Sequence, residues 1–155
     1  FSGGYDTDQK IVLCENIIYN RDFMETVMLH ELIHAFDDCR SHLNWVNCHH
    51  VACTEIRAVH LSGDCKYKYE LRRGRPFPLL GQGIKCILRR AAIATYNNPL
   101  CADTYKQDLK AVASACIHDY EPFTSAYATP DYLPEFWTSY MNYVDNLNFE
   151  LTHRK

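Results

Sequence analysis

Residues 30–34 have the sequence His-Glu-Leu-Ile-His, and this short stretch predicts both a helix and its chemistry. Side chains four positions apart lie one turn apart on the same face of an α-helix, so His30 and His34 can direct ring nitrogens at one metal ion. Glu31 lies about 100° further around the helix, where it can act on the attacking water instead of binding the metal. The pattern therefore predicts a hydrolase with one Zn²⁺ ion, most often a protease.

The residues around this motif predict a long, buried helix. Asp22 and Glu25 have the spacing of a capping box, so the helix should begin at Asp22 and continue to about Cys39. Its apolar residues occupy nearly all sides, which is typical of a buried helix. A single buried histidine is usually a hydrogen-bonded core residue, but two at ligand spacing beside a glutamate favour a metal site.

A second predicted helix offers the third metal ligand. Asn47 can cap its beginning, and Gly63 is the expected stop at its end. Glu55 lies within the apolar stripe of this helix, where an ionised carboxylate costs free energy unless it is paired or binds a metal. We therefore expect Glu55 to complete the site, although a buried ion pair with an arginine is the alternative explanation.

Two other residues compete with Glu55 for the place of third ligand. His50 lies about 140° around the helix on a less apolar face, and Asp64 follows the helix end. Asp37 follows the second motif histidine too closely to reach the same ion easily, so we expect it to orient an imidazole ring by hydrogen bonding. Arg57 is a further candidate for this supporting role.

The eight cysteines indicate disulfide bonds and an oxidising compartment. The absence of a Cys-x-x-Cys pair argues against a finger-type zinc site, and an even number of dispersed cysteines favours disulfides. Buried free thiols in a reducing compartment are the alternative. The pairing cannot be deduced, because many connectivities are possible. The cysteines are Cys14, Cys39, Cys48, Cys53, Cys65, Cys86, Cys101 and Cys116.

The length and composition are those of one globular domain spanning residues 1–155. The chain is 47% hydrophobic and 23% charged, and it is long enough to bury a core. No run of about 18 apolar residues occurs, so no membrane-spanning helix is expected. A formal net charge of −3 and the lack of a recognisable motif argue against a nucleic-acid partner. Because Gly3 and Gly4 lie so near the start, the fold should begin further upstream.

The remaining pattern predicts a mainly helical, zincin-like α+β domain. Residues 10–14 are rich in β-formers and predict one strand, whose free edge could bind an extended peptide next to the motif helix. Capping and periodicity signals predict further helices at residues 84–98, at 104–117 and from Pro134 onward. Residues 124–155 predict an aromatic-rich helical tail, for which packing is the usual explanation and a membrane interface the alternative.

Residues 66–90 carry much of the positive charge. They contain eight cationic residues and one acid, so their net charge is +7, whereas the remaining chain sums to −10. Such a segment can bind an anionic membrane surface, to which each Lys or Arg contributes about 1 kcal/mol. The alternative is a solvated loop with structural arginine pairs. The membrane-binding or partner-binding candidates are Lys66, Lys68, Arg72, Arg73 and Arg75.

Five segments form a pattern that is far more specific than the short motif alone. They are GGYD at residues 3–6, IVLC at 11–14, HELIHAFDDCR at 30–40, ACTEIRA at 52–58 and LSGDC at 61–65. Weaker similarities continue to about residue 123. Together these segments resemble a family of mitochondrial inner-membrane zinc metalloproteases that also assist ATP synthase assembly.

The resemblance implies that His30 and His34 are zinc ligands, that Glu31 is the catalytic acid and that the cysteines form disulfides. It also implies peripheral attachment to the mitochondrial inner membrane on the intermembrane-space side. Two activities follow from it: removal of a presequence from a membrane-sector subunit of ATP synthase, and a chaperone-like assembly role that need not use the peptidase. We expect the chain to act as a monomer.

The chain departs from this family at both ends. The helical, cysteine-containing segment expected before Gly3 is missing, so one or more cysteines should lack a partner. The tail after residue 123 resembles nothing in the family, and its role is open. An assembly module with an idle peptidase site is therefore the main alternative to an active endopeptidase. A basic scaffold that binds nucleic acid or protein through residues 66–90 is a third interpretation.

Overall fold

The described part of the chain consists mainly of α-helices. The structure is a computed structural model that describes residues 2–6, 8, 10–75, 82–124 and 134–148. A two-stranded antiparallel sheet accompanies the helices, so the predicted mainly helical α+β class is confirmed. No helix among these residues is both long enough and apolar enough to cross a bilayer. The elements are β1 (Gly3–Asp6), β2 (Lys10–Leu13), α1 (Arg21–Ser41), α2 (Cys48–Ser62), α3 (Tyr67–Arg72), α4 (Gln82–Asn97), α5 (Tyr105–Ile117), a 3₁₀ turn (Pro134–Phe136) and α6 (Trp137–Asp145).

Helix α1 carries the His-Glu-x-x-His motif and begins earlier than predicted. The side chain of Asn20 accepts a hydrogen bond from the Phe23 N–H at 2.8 Å, which caps the first turn. The prediction that Asp22 is the cap is wrong, because Asp22 lies within the helix and pairs with Lys68 at 2.7 Å. At the other end the helix stops where His42 adopts a left-handed backbone with φ 48°.

Helix α2 lies at the centre of the core, and its predicted caps are confirmed. The side chain of Asn47 accepts a hydrogen bond from the His49 N–H at 3.0 Å. Gly63 ends the helix with φ 74°, a conformation that glycine adopts without strain. The helix packs against α1, α4 and α5, and most of its residues are buried between these three helices.

A β-hairpin lies against α1. The strands pair antiparallel with Gly3 opposite Leu13. The strand predicted at residues 10–14 is confirmed as β2, whereas β1 was not predicted, because adjacent glycines weaken any strand pattern. Gly3 approaches α1 so closely that a Cβ atom there would lie 2.6 Å from Val27 Cγ1. Only glycine allows the hairpin to lie so close to the motif.

Three disulfides tie α2 and the residues just after it to later parts of the chain, which confirms the interpretation of the dispersed cysteines. The bonds join residues 53, 63 and 21 positions apart, and each such bond typically stabilises a fold by about 2–4 kcal/mol. Cys14 and Cys39 are free thiols, as expected if some cysteines lack a partner within this chain. The pairs are Cys48–Cys101, Cys53–Cys116 and Cys65–Cys86.

Much of the cationic segment is held by ion pairs. Helix α3 was not predicted, because residues 66–90 were interpreted from their charge, as a membrane-binding surface or a solvated loop, and not from a helical pattern. Arg73 pairs with Asp64 and, at 3.1 Å, with Glu70. Arg89 pairs with Glu70 at 2.8 Å, and Arg90 pairs with Asp64 at 2.7 Å. The structural arginine pairs considered as an alternative therefore exist, while residues 76–81 of the segment lie outside the described residues.

Helix α6 completes the core on the side of α4 and α5. Tyr140, Val144 and Leu147 are buried there, and the side chain of Val144 is 0% exposed. The Tyr105 hydroxyl donates a hydrogen bond to the Leu147 carbonyl at 2.9 Å. The described part of the aromatic-rich tail therefore has the packing role that its apolar stripe favoured.

We predict that Val144→Ala lowers the free energy of unfolding by about 2 kcal/mol, because buried methyl groups are lost and a cavity remains. The midpoint of thermal unfolding should fall by about 4–8 °C for a domain of this size, measured by circular dichroism. Ser139→Ala, at an exposed position of the same helix, is the control and should shift the midpoint by less than about 2 °C. A Val144→Ala variant as stable as the control would contradict the assignment of α6 to the core.

Candidate active site

The two histidines of the motif converge on one point. His30 and His34 lie one turn apart on α1, and their Nε2 atoms are 3.1 Å apart. The two rings are inclined at 80° to each other, and His34 is 5% exposed. Two imidazole nitrogens approach so closely when they share a proton or bind the same cation. The helical spacing thus brings both rings to one site, as the sequence predicts.

Glu55 of α2 is the third member of this cluster. Its Oε2 lies 3.6 Å from His30 Nε2, and its Oε1 lies 3.7 Å from His34 Nε2. Among the described residues, these three form the one group of His, Cys, Asp or Glu side chains with ligand atoms all within 4.8 Å of one another. The ion pairs of Glu55 within this part of the chain are with the histidines and not with an arginine.

The two rival ligands have other partners. His50 Nδ1 accepts a hydrogen bond from the Asn44 N–H at 3.2 Å. Asp64 is 6% exposed, and its carboxylate oxygens bind the guanidinium groups of Arg73 and Arg90. Neither residue belongs to the cluster, so the structure gives no support to either as the third ligand.

The donor set and its spacing fit a divalent metal ion. Ligands about 2.0–2.1 Å from a tetrahedral ion lie about 3.3 Å apart, close to the 3.1, 3.6 and 3.7 Å measured here. Glu55 Oε2 is buried and has no hydrogen-bond partner among the described residues. A buried carboxylate oxygen without a partner is costly unless a cation compensates it. These side chains can therefore hold a metal ion.

The electrostatics of the cluster also suit cation binding. Burial lowers the pKa of His34 to about 4, so the ring is neutral and can donate a lone pair near pH 7. Burial alone would raise the pKa of Glu55, but His34 and His30 outweigh it and hold that pKa below its ordinary value. Burial alone would lower the pKa of His30, yet the Glu55 carboxylate raises it. An ionised carboxylate next to a neutral imidazole attracts a cation.

Glu31 lies beside the cluster without joining it. Its side chain is 6% exposed, and burial raises the pKa of its carboxyl, while His30 and a hydrogen bond from the Tyr5 backbone N–H act in the opposite direction. Its Oε1 lies close to β1, since a Cβ atom added at Gly3 would come within 3.2 Å of it. A carboxylate with a raised pKa accepts a proton from water more readily at neutral pH.

Asp37 supports the cluster through Thr54, a residue that the sequence analysis missed. His34 Nδ1 lies 3.0 Å from Thr54 Oγ1, and the Thr54 hydroxyl lies 2.9 Å from Asp37 Oδ2. Asp37 is therefore one hydrogen bond further from the imidazole than expected. Arg57 is 1% exposed and pairs with Asp37 at 2.9 Å. The sequence signal that could have identified Thr54 is its position directly before Glu55, on the helix that faces α1.

The cluster lies in a cleft of about 1010 Å³. Residues 2–5, which include most of β1, form one wall, whereas β2 contributes no lining residue among those described. The strand at residues 10–14, whose edge was expected to bind a peptide, therefore does not line this cleft, and β1 lines it instead. A cleft of this size can hold several residues of an extended chain. Apolar lining residues include Phe23, Val27, Trp45 and Tyr69.

The five cationic candidates lie on or next to α3, at the margin of this cleft. Arg72 and Arg73 are among the lining residues, whereas Lys66, Lys68 and Arg75 are not. The five candidates therefore form two groups. Arg72 and Arg73 line the cleft, whereas Lys66, Lys68 and Arg75 lie beside it.

We predict that Glu55→Gln weakens binding of a divalent metal ion at least about tenfold, because an amide replaces an ionised oxygen ligand. Competition of the purified chain with a chromophoric chelator measures the affinity. His50→Ala is the matched control, because it removes the rival ligand, and it should bind metal as tightly as the unchanged chain. Loss of metal from the His50→Ala variant, with retention by Glu55→Gln, would reverse the assignment.

Comparison with known proteins finds several curated relatives. The chain is 38% identical over 128 residues to the mitochondrial inner membrane protease atp23 of Schizosaccharomyces pombe, an overlap that covers 81% of this chain and 69% of the relative. It is 43% identical over 126 residues to the mitochondrial inner membrane protease ATP23 homolog of Xenopus laevis, an overlap that covers 79% of this chain and 53% of the relative. It is 41% identical over 125 residues to the mitochondrial inner membrane protease ATP23 homolog of Homo sapiens, which covers 79% of this chain and 50% of that relative. This chain thus spans about half the length of the last two, and no solved structure matches it.

A sequence profile described as the Peptidase M76 family matches residues 1–124. The matched part contains both strands, the motif on α1 and Glu55 on α2, whereas α6 lies beyond it. Because this match covers most of the chain and the relatives exceed 30% identity, the chain belongs to the peptidase M76 family.

Proposed function

We propose that this chain is an endopeptidase that binds one Zn²⁺ ion through His30, His34 and Glu55. The observation that carries the proposal is the convergence of these three side chains next to Glu31, inside a cleft large enough for a peptide. Two imidazoles and one carboxylate are a donor set that catalytic zinc sites use, with a fourth position left open. When bound, zinc would polarise the peptide carbonyl and lower the pKa of the attacking water, so that a hydroxide nucleophile is available near neutral pH.

Glu31 acts as the general base and then as the general acid. It accepts a proton from the attacking water and returns that proton to the amine of the leaving segment. Burial raises the pKa of this carboxyl, which makes it a stronger proton acceptor than an exposed glutamate. The Tyr5 backbone N–H donates a hydrogen bond to this carboxylate and so restricts its orientation.

The outer edge of β1 is suited to bind an extended substrate. The Cys14 N–H donates to the Ser2 carbonyl at 3.0 Å, so Ser2 is a position that is hydrogen-bonded to β2. Because bonding alternates along an antiparallel pair, Gly3 and Tyr5 direct their N–H and C=O groups away from β2. The bond from the Tyr5 N–H to Glu31 agrees with this alternation. A peptide paired with this edge would run past Glu31, which favours unfolded segments as substrates.

We further propose that the enzyme is a monomer at the mitochondrial inner membrane, on the intermembrane-space side. The substrate in this proposal is the precursor of a membrane-sector ATP synthase subunit, from which it removes the presequence. The names of the relatives as mitochondrial inner membrane proteases support the location. The three disulfides fit an oxidising compartment such as the intermembrane space. The substrate follows from the resemblance of the motifs described above.

A peptidase-independent role in ATP synthase assembly is the alternative. In that case zinc and the disulfides would stabilise the fold, and the carboxyl of Glu31 would have no chemical task. The raised pKa of Glu31 and its place inside the cleft favour the peptidase, because a carboxyl with no chemical task gains nothing from burial.

We predict that Glu31→Gln retains zinc and loses peptidase activity by about a thousandfold or more, because the proton acceptor is removed while the ligands stay. Cleavage of a fluorogenic peptide library, together with the zinc content, measures both properties. Glu25→Gln is the matched control, since Glu25 lies on the same helix and is exposed. A Glu31→Gln variant that cleaves at the control rate would refute this role. Assembly that persists in cells carrying Glu31→Gln but fails without the domain would favour the alternative.

We also propose that the exposed face of α3 docks on an anionic membrane surface. Tyr67 and Leu71 are 51% and 49% exposed and lie one turn apart. Arg72 lies next to Leu71 at the margin of the cleft, Arg75 follows the end of the helix, and neither has an ion pair among the described residues. Apolar groups flanked by cations are typical of segments that lie in a membrane interface. Lys68 contributes less in this proposal, because an acid already pairs with it.

Docking through α3 would bring the cleft close to the bilayer. The other side of α3 contributes Tyr69 to the cleft lining, and Arg72 lies at the same margin, 4.3 Å from the centre of the exposed Tyr19 ring. A substrate segment that emerges from the membrane would then meet the cleft after a short distance.

We predict that Leu71→Ser weakens binding to vesicles with anionic lipid about fivefold to tenfold, because a half-exposed leucine loses about 1 kcal/mol of burial in the interface. Arg72→Gln should weaken it about fivefold and reduce its salt dependence. Co-sedimentation with anionic and with neutral vesicles measures both effects. Leu100→Ser is the control, since Leu100 is 64% exposed and lies outside α3, between α4 and α5. Equal losses for Leu71→Ser and Leu100→Ser would contradict docking through α3.

A further inference from the structure

A chain of hydrogen bonds connects the His34 ring to a buried ion pair. His34 Nδ1 lies 3.0 Å from Thr54 Oγ1, and Thr54 Oγ1 lies 2.9 Å from Asp37 Oδ2. Both oxygens of Asp37 accept hydrogen bonds from Arg57 Nε at 3.0 Å. These four residues are 5%, 1%, 2% and 1% exposed, so bulk water does not compete for any of the bonds.

The direction of each hydrogen bond follows from the chemistry of its partners. Arg57 can only donate, and its Nε–H lies within hydrogen-bonding distance of both oxygens of Asp37, so the Asp37 carboxylate accepts. Thr54 has one hydroxyl hydrogen, and an ionised carboxylate at 2.9 Å is an acceptor only, so Thr54 donates to Asp37. The oxygen of Thr54 then offers only lone pairs to the ring. His34 Nδ1 must therefore carry a hydrogen and donate it to Thr54.

We propose that Thr54 is a positioning residue that selects the Nδ1–H tautomer of His34 and so leaves the Nε2 lone pair free for the metal ion. This inference rests on the proposed zinc site. In the other neutral tautomer a hydrogen would occupy Nε2 and prevent it from binding a cation. The Nε2 atom lies 3.1 Å from His30 Nε2, so the lone pair that Thr54 leaves free faces the space between the ligands.

The far end of this chain is anchored in another part of the fold. Arg57 pairs with Asp119 at 2.6 Å and donates to the backbone carbonyl of Glu121, in the segment that follows α5. Arg40 of α1 pairs with Asp37 at 3.3 Å and with Asp119 at 2.8 Å. The Asp37 carboxylate therefore cannot turn away from the Thr54 hydroxyl without breaking contacts to two arginines.

Substitutions of Thr54 can separate the effect of its hydroxyl group from the effect of its packing. Valine has nearly the same shape but no hydroxyl, so Thr54→Val fills the same volume and removes the hydrogen-bond chain. Thr54→Ser keeps the hydroxyl and removes a methyl group. Thr95→Val is the matched control, because Thr95 is also buried in a helix and its hydroxyl has no partner among the described residues.

The test is the zinc affinity of the full chain, measured by competition with a chromophoric chelator, together with the thermal midpoint of each metal-free variant. Loss of a group that orients a ligand typically weakens metal binding about 10-fold to 100-fold, and we expect this for Thr54→Val. Thr54→Ser and Thr95→Val should bind zinc within about threefold of the unchanged chain. Thr54→Val binding as tightly as Thr95→Val, or Thr54→Ser binding as weakly as Thr54→Val, overturns the proposal.

A second measurement reads the tautomer directly and does not depend on folded variants. Long-range ¹H–¹⁵N correlation spectra of the unchanged chain, recorded without metal and with zinc restored, report which ring nitrogen of His34 carries hydrogen. We expect hydrogen on Nδ1 in both states, and hydrogen on Nε2 without metal overturns the proposal. If the chain takes up no zinc at all, the proposed function fails, whereas the spectrum of the metal-free chain still decides the role of Thr54.

Discussion

The structure depends on one electrostatic constraint: an ionised carboxylate from α2 is buried against two imidazoles from α1. Glu55 Oε2 has no hydrogen-bond partner among the described residues, and the Nε2 atoms of His30 and His34 face each other at 3.1 Å. Without a cation this arrangement leaves a buried carboxylate oxygen without a hydrogen bond, which is costly. A divalent ion between these side chains would bind the carboxylate oxygen and both imidazole nitrogens. The site is therefore better understood as an ion-binding centre than as a set of core residues.

The rest of the fold fixes the distance between α1 and α2. Disulfides hold α2 and the residues just after it against α4, α5 and the connection between those helices, while the hairpin lies on α1 through the close approach at Gly3. The Arg57–Asp37 ion pair crosses between the two central helices beside the cluster. Helix α6 covers the opposite side of α4 and α5 with Tyr140 and Val144. A preorganised site of this kind loses little free energy to rearrangement when the ion and a substrate bind.

The parts of this account that the sequence predicts are those that local geometry controls. Four-residue spacing on a helix is enough to bring His30 and His34 together, and a carboxylate in an apolar stripe is enough to single out Glu55. Thr54 could not be predicted, because its role depends on which side of α2 faces α1. Strand β1 was not predicted, because its glycines have a low strand propensity and are explained instead by the close approach of the backbone to α1. The ion pairs of the cationic segment could not be predicted for the same kind of reason, since Asp64, which pairs with two of its arginines, lies outside the segment.

X-ray absorption at the zinc edge of the zinc-loaded chain tests the central claim most directly, because it counts the ligands and measures their distances. The account predicts one zinc ion per chain with two imidazole nitrogens at about 2.0–2.1 Å, oxygen ligands at about 2.0–2.2 Å and no sulfur. A shell of sulfur at about 2.3 Å would move the ion to the cysteines. A spectrum with fewer than two imidazoles, or a chain that takes up no zinc, would contradict the shared site on α1 and α2.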